Sequence, residues 1–309
     1  MKTIRFFCPA TIANLSCGFD VLGLCLDKVG DEMIVHKTSQ PGVRITKITG
    51  AELPMETENN VAGVAALSLL QQWKTDYGFD IEIHKRIKAG SGIGSSAASA
   101  AGAVFGINAL LGSPFEAAEL VKFAMQGEKL AGGSAHADNV APALLGGITL
   151  IRSYNPLDII RIESPVELYA AVIHPQIELK TSDSRSVLKQ QVPLKSAIMQ
   201  WGNVGGLVAG LYTSDYDLIG RSLQDHIVEP LRSVLIPGFH EVKNAAISNG
   251  ALGAGISGAG PSVFALCKGK QSAEIAAAAM GVVLDQMDLP YETHVSAINP
   301  NGIKILSQE

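Results

Sequence analysis

A glycine-rich segment between two regular stretches constrains this sequence more than any other feature. Residues 79–84 alternate apolar and polar side chains and predict a β-strand, whereas the small side chains of residues 97–111 predict a helix. Between them, residues 90–98 read Gly-Ser-Gly-Ile-Gly-Ser-Ser-Ala-Ala. The first turn of a helix leaves N–H groups without partners, and glycine lets a phosphate approach them closely. The segment therefore predicts a phosphate-binding loop or, equally, a loop and small-residue helix packed tightly in the core.

The uncharged stretch around this segment also has to be tested as a membrane span. Residues 89–115 carry no charge and include Gly102 and Gly106 at the GxxxG spacing of membrane helices. The first half is glycine, serine and alanine, which is too weakly apolar to insert. A net charge of -5 and the lack of any block of Lys or Arg argue against a general binder of nucleic acid or anionic membrane. We expect a soluble protein.

Charge and cysteine usage indicate the kind of globular protein. Charged residues make up 17% of the chain, below the ~25% that is usual, which favours a large core or a subunit interface. The four cysteines, Cys8, Cys17, Cys25 and Cys267, have neither CxxC spacing nor companion histidines. They predict reduced, buried thiols in a cytoplasmic protein rather than a zinc site.

The order of predicted elements favours the α+β class. Strands are predicted early in the chain, and a capping box at Ser113–Glu116, with Pro114 at the first helical position, predicts a helix to about Leu130. Mainly helices follow residue 165 as far as Asn249, and then a glycine-rich turn precedes a strand at residues 262–267. Strands and helices mix without regular βα alternation, so two α+β domains divided at residues 164–165 are expected. The other strands are predicted at residues 3–7, 33–36, 43–46, 147–151, 159–162 and 168–173, and the other helices at residues 60–73 and 275–287.

A dinucleotide fingerprint near the C-terminus has the wrong context. Residues 253–258 match GxGxxG, which binds a pyrophosphate only where a strand precedes it and a helix opens from it. Here the strand-like residues 263–266 follow. We therefore reject an NAD-binding Rossmann fold, and no P-loop sequence occurs either.

Three segments, residues 9–23, 90–98 and 256–262, resemble the three signature motifs of the GHMP small-molecule kinases. Within that superfamily the chain most resembles the homoserine kinases. The discriminating pieces are Ala13–Asp20, His136–Asn139, Thr181–Arg185 and Asp225–Arg232.

The resemblance implies a two-domain α+β fold. Residues 1–164 would form an ATP-binding domain similar to domain 2 of ribosomal protein S5, and residues 165–309 a ferredoxin-like α/β sandwich. It also implies ATP-dependent phosphorylation of the L-homoserine hydroxyl in threonine biosynthesis, by a cytoplasmic homodimer that uses Mg²⁺. The alternatives are a superfamily kinase acting on another small alcohol, and a non-catalytic binding protein of the same fold.

The resemblance assigns ATP to the glycine-rich loop and Mg²⁺ to Ser96 and Glu128. Asn59 matches the residue that meets adenine, with Asn60 as a close rival whose ordinary role would be a helix cap. Lys88 stands where the family usually has proline. The implied ATP-binding residues are Asn59, Lys88, Ala89, Gly90, Ser91, Gly92, Ile93, Gly94, Ser95, Ser96, Ala97 and Ala98.

The same resemblance implies a site for a zwitterionic amino acid. Two arginines suit the substrate carboxylate because a guanidinium binds it through two parallel hydrogen bonds. Asn139 occupies the position of the general base and cannot accept a proton, so positioning and charge stabilisation would supply most of the rate, with Asp138 as the rival base. The implied catalytic residues are Asn139, Ser96 and Glu128, and the implied substrate-binding residues are Asn14, Asp20, His136, Asn139, Thr181, Arg185 and Arg232.

Overall fold

The computed structural model describes residues 2–177, 179 and 181–309, apart from the side chains of Thr181 and Ser182. These residues contain eleven strands: β1 (Thr3–Ala13), β2 (Leu22–Thr38), β3 (Gly42–Thr49), β4 (Gly78–His84), β5 (Ile148–Tyr154), β6 (Leu157–Ile162), β7 (Leu168–Pro175), β8 (Ala251–Ile256), β9 (Val263–Lys268), β10 (Tyr291–Ala297) and β11 (Lys304–Gln308). The same residues contain ten α-helices: α1 (Val61–Gln72), α2 (Ser95–Leu110), α3 (Ala117–Gly132), α4 (Val140–Leu145), α5 (Thr181–Ser186), α6 (Leu194–Thr213), α7 (Tyr216–Ser222), α8 (Glu229–Arg232), α9 (Phe239–Ser248) and α10 (Lys270–Gln286). The irregular order of strands and helices confirms the α+β class.

Two sheets carry the helices. In the described part of the chain, the first sheet has seven strands in the order β11-β1-β2-β4-β3, and a branch pairs β5 with β2 and β6 with β5. Its pairs are antiparallel except for β3 with β4. The second sheet is antiparallel, in the order β10-β7-β9-β8, and packs against α9 and α10. Because β11 pairs with β1, the end of the chain returns to the first sheet.

Helix α2 is buried against β1 and β2 because its glycines allow close packing. An added Cβ at Gly102 would overlap Met33, and one at Gly106 would lie 2.7 Å from Cγ2 of Val35. The GxxxG spacing therefore serves contact between helix and sheet in the core. Among the described residues, we find no helix with both the length and the apolar character that spanning a bilayer requires.

The predicted start of α3 is wrong by three residues. The helix begins at Ala117 instead of Pro114, and the N–H of Glu116 donates to the Glu119 carboxylate at 3.0 Å. The physical reason is a contact that local patterns do not show, since the side-chain amide of Asn108 hydrogen-bonds both the N–H and the carbonyl of Phe115. Phe115 is thereby held outside the helix.

The glycine-rich stretch predicted as a turn after Asn249 is partly a strand. Residues 251–256 form β8, which pairs with β9. Glycine is needed there for packing, because a Cβ at Gly253 would lie 2.6 Å from Cβ of Leu223. Since β9 and not a helix follows, rejection of the dinucleotide fingerprint is supported.

A buried ion pair ties together the two ends of the glycine-rich loop. Lys85 Nζ donates to the Asp31 carboxylate and, at 2.8 Å, to the carbonyl of Ser95 at the start of α2. The other Asp31 oxygen accepts the N–H groups of Arg86 and Ile87 at 2.7 and 2.9 Å. The side chains of Lys85 and Asp31 are 1% and 0% exposed. The strand leading into the loop and the helix leaving it therefore share one polar network.

This pair was not predicted, although the alternation of buried residues along the two strands indicates it. The buried face of β4 is formed by alternate residues, Phe79, Ile81 and Ile83, and Lys85 takes the next inward position. Asp31 precedes the inward residue Met33 on the neighbouring strand in the same way. Two opposite charges at inward positions of adjacent strands predict a buried ion pair.

We expect Lys85→Met to lower the free energy of unfolding by ~3–5 kcal/mol, because it leaves the Asp31 carboxylate buried without its cation. Urea denaturation measures the change. The double variant Asp31→Asn/Lys85→Met removes both charges and should be more stable than Lys85→Met alone.

The matched control is Lys270→Met, which removes the lysine of an exposed pair with Glu274 on α10. Exposed pairs contribute little, so this variant should unfold at nearly the wild-type urea concentration. Equal effects of Lys85→Met and Lys270→Met would contradict the role given to the buried pair.

Candidate active site

The loop between β4 and α2 has the geometry of an anion site. Gly90, Gly92 and Gly94 have φ angles of 75°, 84° and 72°, a region that favours glycine. Because Gly94 immediately precedes α2, the unpaired N–H groups of the first helical turn lie next to the loop. A Cβ added at Gly90 would meet nothing within 4 Å, whereas one at Gly92 would lie 2.6 Å from the carbonyl of Gly260. One side of the loop is therefore open to a ligand and the other is packed.

The C-terminal glycine-rich segment forms the packed side. Ser257 Oγ donates to the carbonyl of Gly92 at 2.8 Å, and Ser262 Oγ donates to that of Ser91 at 2.6 Å. Gly258, with a φ of 57°, lies within the same turn. The first and second sheets thus meet at the phosphate loop.

Ser96 and Glu128 form a pair that suits a hard cation. Ser96 is in the first turn of α2, and Glu128 is in the last turn but one of α3. Oε1 of Glu128 is buried and has no hydrogen-bond partner among the described residues. Burial raises the pKa of Glu128 to about 7, although the Ser96 hydroxyl and the Lys85 ammonium act in the opposite direction. An unpaired buried carboxylate oxygen beside a hydroxyl offers two oxygen ligands of the kind that a hard cation prefers.

The described residues contain no group of three or more His, Cys, Asp or Glu side chains that could hold a metal. This does not disfavour magnesium, because Mg²⁺ usually takes one or two protein ligands and completes its shell with water and substrate phosphates. Ser96 and Glu128 fit that requirement.

A second cluster centres on Asp20, near the end of the loop between β1 and β2. Its carboxylate lies 3.3 Å from Nη2 of Arg185 and 3.5 Å from Nδ1 of His136. Burial lowers the pKa of His136, against the attraction of Asp20, so its imidazole is neutral at pH 7. Tyr154 holds the backbone here, since its hydroxyl donates to the carbonyl of Asp20 at 2.7 Å. These groups offer one anionic and one cationic partner side by side.

Arg232 adds a second guanidinium and is only 3% exposed. Its Nε donates to the carbonyl of Ser184 at 2.9 Å and its Nη1 to that of Gly258 at 3.1 Å. The Cζ atoms of Arg232 and Arg185 lie 5.1 and 6.0 Å from the centre of the Phe19 ring. Burial, and then repulsion by Arg185, lowers the pKa of Arg232 to about 10. Two like charges this close together, one buried and one half-buried, favour an anionic ligand.

A strained turn places Asp20. Asn14, Leu15 and Ser16 are consecutive non-glycine residues with φ angles of 73°, 42° and 64°. Such conformations cost about 1–3 kcal/mol each and concentrate at functional sites. The Asn14 amide fixes the turn, because its Oδ1 accepts the N–H of Asp20 at 3.0 Å and its Nδ2 donates to the carbonyl of Gly258 at 2.8 Å.

Asn139 and Asp138 lie between the two clusters. A Cβ at Gly94 of the phosphate loop would lie 3.2 Å from Oδ1 of Asn139, so this side chain is next to the loop. Asp138 is buried, and burial together with the charges of Asp20 and Glu128 raises its pKa to about 7. An amide that cannot titrate and a carboxyl that titrates near neutrality therefore lie side by side.

The remaining predicted residues differ in their placement. Asn60 is buried and caps α1 by accepting a backbone N–H at 3.0 Å, whereas Asn59 is exposed and available to a ligand. Lys88 leaves the loop towards β7, where its Nζ donates to Oε1 of Gln176 at 2.5 Å. The side chain of Thr181 lies outside the described residues, so its predicted role stays a prediction. Tyr154 was not predicted, and no local pattern marks it, because it lies 134 residues from Asp20 along the chain.

The sequence matches the models of two domains that belong to one family. Residues 59–147 match the GHMP kinases N terminal domain, and residues 207–283 match the GHMP kinases C terminal domain. The homoserine kinase of Chlorobium phaeobacteroides is 49% identical over an alignment 320 residues long, which covers 99% of this chain and 100% of that protein. The homoserine kinase of Xylella fastidiosa is 38% identical over 304 residues, which cover 98% and 94% of the two chains.

Solved structures agree with the sequence matches. The crystal structure of homoserine kinase from Cytophaga hutchinsonii has a TM-score of 0.95 at 50% identity and covers 99% of this chain and 98% of its own. The mevalonate kinase of Methanococcus jannaschii, at 13% identity and a TM-score of 0.67 over 99% and 98% of the chains, shows likeness of fold alone. The resemblance and the fold class inferred from the sequence motifs are confirmed, and the chain belongs to the GHMP kinase superfamily and, within it, to the homoserine kinase family.

Proposed function

We propose that this chain catalyses ATP-dependent phosphorylation of the side-chain hydroxyl of L-homoserine, yielding O-phospho-L-homoserine for threonine biosynthesis. The observation that carries the proposal is the pairing of an amide-lined loop with a pocket that has one carboxylate and two guanidinium groups. An amino acid carries the complementary ammonium and carboxylate, whereas a sugar or mevalonate carries no ammonium. Relatives called homoserine kinase, 46–50% identical to this chain, support the same activity.

The glycine-rich loop would hold the phosphates of ATP, and Asn59 would meet adenine. Ser96 and Glu128 would hold Mg²⁺, which neutralises charge on the phosphates when bound. The exposed position of Asn59 supports its assignment over Asn60, whose side chain already caps α1. The loop amides and the dipole of α2 would fix the triphosphate in one orientation.

Homoserine would replace the ion pair between Asp20 and Arg185 with two ion pairs of its own as it binds. Asp20 and Arg185 face each other at 3.3 Å, and a zwitterion can place its ammonium on the first and its carboxylate on the second. Arg232 would complete the carboxylate site, while His136, Asn14 and Thr181 would line the pocket. This orientation directs the hydroxyl of the substrate towards Asn139 and the phosphate loop.

The chemical step requires little from a base. The homoserine oxygen forms a bond to the γ-phosphorus as the bond from phosphorus to the ADP oxygen breaks, and the hydroxyl proton passes to water. In a loose transition state the nucleophile needs little activation, so positioning of the two substrates and stabilisation of charge would supply most of the rate. Asp138 is the alternative proton acceptor, because a pKa of about 7 suits a base at neutral pH.

We further propose a cytoplasmic homodimer and the division of the chain into residues 1–164 and 165–309, with β11 of the second part returning to the sheet of the first. All four cysteines are buried and free, as in proteins of reducing compartments. Leu194, Ile198 and Trp201 on α6 are 69%, 51% and 58% exposed, and a second copy would cover them. Analytical ultracentrifugation tests the dimer, and a monomer at micromolar concentration would contradict it.

The substrate assignment is tested by ADP release with homoserine, mevalonate, galactose and shikimate measured in parallel. We expect turnover with homoserine alone, and that turnover should require added Mg²⁺. Comparable turnover of mevalonate or galactose would place the chain's activity with another alcohol, and binding of ATP without any turnover would indicate a non-catalytic relative.

Replacing Arg185 with Gln should raise the KM for homoserine by ~10–100-fold, because a charged hydrogen bond contributes ~1.5–3 kcal/mol. The KM for ATP should stay within about threefold of wild type, since Arg185 belongs to the amino-acid pocket. Steady-state kinetics with each substrate varied in turn give both constants. The matched control is Arg152→Gln, at an exposed pair with Asp158, and an equal KM change in both variants would remove Arg185 from the pocket.

Loss of a proposed metal ligand should lower kcat more than loss of the Asn139 amide. We expect Glu128→Ala to reduce kcat by at least ~10³-fold, because a clamp on the transferring phosphoryl group is lost. Asn139→Ala should weaken turnover without abolishing it, and by less than Glu128→Ala. Complete loss in Asn139→Ala together with a mild effect of Glu128→Ala would overturn this ranking.

Asp138→Asn should make the fold more stable at pH 8. The pKa of Asp138 is about 7 in the fold, against ~3.9 in an unfolded chain, so the folded state favours the protonated form. The ionised carboxylate therefore destabilises the fold most above pH 7, and this cost disappears as the pH falls towards 4.

Urea denaturation of wild type and Asp138→Asn should differ by at least ~1 kcal/mol at pH 8 and agree at pH 4. Equal stability at pH 8 would contradict the raised pKa. In the same variant, a fall in kcat of ~10²–10⁴-fold would assign the base to Asp138, whereas a smaller change supports transfer without one.

A further inference from the structure

Thr11 connects the phosphate loop with Asn139, although no motif marks it as functional. It lies in β1 and is 0% exposed. Its N–H donates to the carbonyl of Ile93 in the loop at 3.1 Å, and its Oγ1 donates to Oδ1 of Asn139 at 2.7 Å. One buried residue therefore contacts both the loop and the side chain at the base position.

Gly94 shows how closely these groups meet. A Cβ at Gly94 would overlap Oγ1 of Thr11 and lie 3.2 Å from Oδ1 of Asn139. With a φ of 72°, Gly94 also has a backbone conformation that few other residues adopt. The last glycine of the loop thus lies directly against the hydrogen bond between Thr11 and Asn139.

The hydrogen bond decides which end of the Asn139 amide can reach a ligand. A primary amide has an acceptor oxygen and an NH₂ group with two donors, and here Thr11 occupies the oxygen. Among the described residues, the Asn139 side chain makes a hydrogen bond only through Oδ1, and Asn139 is partly exposed whereas Thr11 is fully buried. Asn139 also precedes α4 without capping it through its side chain. The NH₂ group is therefore the end that faces the cleft.

We propose that Thr11 is a positioning residue for phosphoryl transfer, which holds Asn139 so that its NH₂ group is directed at the acceptor oxygen and the transferring phosphoryl group. This inference rests on the proposed homoserine kinase activity. Charge spreads over the phosphoryl oxygens in the transition state, and fixed N–H donors stabilise it there. Neither Thr11 nor Asn139 gains or loses a proton, and the proton of the homoserine hydroxyl passes to water.

The proposal explains why an amide can occupy the position of a base. An asparagine free to rotate would present its oxygen or its NH₂ group, and the oxygen would repel the phosphoryl oxygens. The buried Thr11 hydroxyl pairs its proton with Oδ1, and a rotated amide would leave that proton without an acceptor, so one orientation of the amide is favoured. Thr11 therefore acts through Asn139 and affects kcat more than KM.

Four variants test this role: Thr11→Val, Thr11→Ser, Asn139→Ala and Thr11→Val/Asn139→Ala. Valine keeps the shape of threonine without the hydroxyl, and we expect kcat to fall by ~10-fold, the equivalent of one hydrogen bond of ~1.4 kcal/mol. Serine keeps the hydroxyl and should recover most of that loss. The KM values for homoserine and ATP should change by less than about threefold.

The double variant separates positioning from general damage. If Thr11 acts through Asn139, Thr11→Val should change kcat by less than about twofold in the Asn139→Ala background. Thr149→Val is the matched control, since Thr149 is a buried residue of β5 whose hydroxyl has no partner among the described residues. It should leave kcat unchanged. Wild-type kcat in Thr11→Val, or additive losses in the double variant, would overturn the proposal.

A measurement that needs no turnover keeps this test separate from that of the activity. The side-chain NH₂ resonances of Asn139 are identified in an ¹⁵N–¹H spectrum by their absence in Asn139→Ala. We expect them to shift in Thr11→Val and to stay near the wild-type position in Thr11→Ser. Unshifted resonances would reject the positioning role even in an active enzyme, whereas shifted resonances without any homoserine turnover would reject the proposed function and keep the hydrogen bond.

Discussion

The geometry of the active site depends on the buried ion pair between Lys85 and Asp31. Removing two charges from water is costly, and this cost is offset only when the remaining hydrogen-bonding positions are filled. Here Asp31 also accepts two backbone N–H groups, and Lys85 also donates to Ser95 and Ser99. The network therefore holds the entry and exit of the phosphate loop at a fixed separation. The ammonium also favours the ionised form of Glu128, so the same charge that shapes the loop acts on the carboxylate that we propose as a magnesium ligand.

The proposed amino-acid pocket follows a different physical principle, because its charges are incompletely matched. Arg185 pairs with the Asp20 carboxylate, Arg232 donates to backbone carbonyls, and the buried Nε of Arg185 has no partner among the described residues. The strained turn at Asn14–Ser16 keeps Asp20 in place, and the conformational free energy that it costs is offset by the stability of the rest of the fold. A pocket of this kind is most stable when a ligand with both signs of charge completes it. The loop side of the site is thus held rigidly by paired charges, whereas the pocket side contains unmatched charges.

Local patterns predicted most of the framework and the nucleotide loop. Alternation located β4, small residues located α2, and the glycines between them indicated a loop suited to phosphate. Contacts outside the local patterns were less accessible: Asn108 holds Phe115 outside α3, and Gly253 packs against Leu223 within β8. The alternation of their strands gives Lys85 and Asp31 inward positions, but their pairing was not predicted. The bond between Thr11 and Asn139 spans 128 residues, so no local rule could have revealed it.

The pairing of β11 with β1 determines when the first sheet can finish folding during synthesis. Residues 298–308 close the first sheet, where Asn299 is fully buried and exchanges backbone hydrogen bonds with Cys25 and Gly147. A ribosome synthesises β1 long before β11, so one edge of the first sheet stays unpaired until β11 has been made. That sheet can reach its final form only after β11 has left the exit tunnel, and until then the nascent chain exposes a strand edge open to other chains.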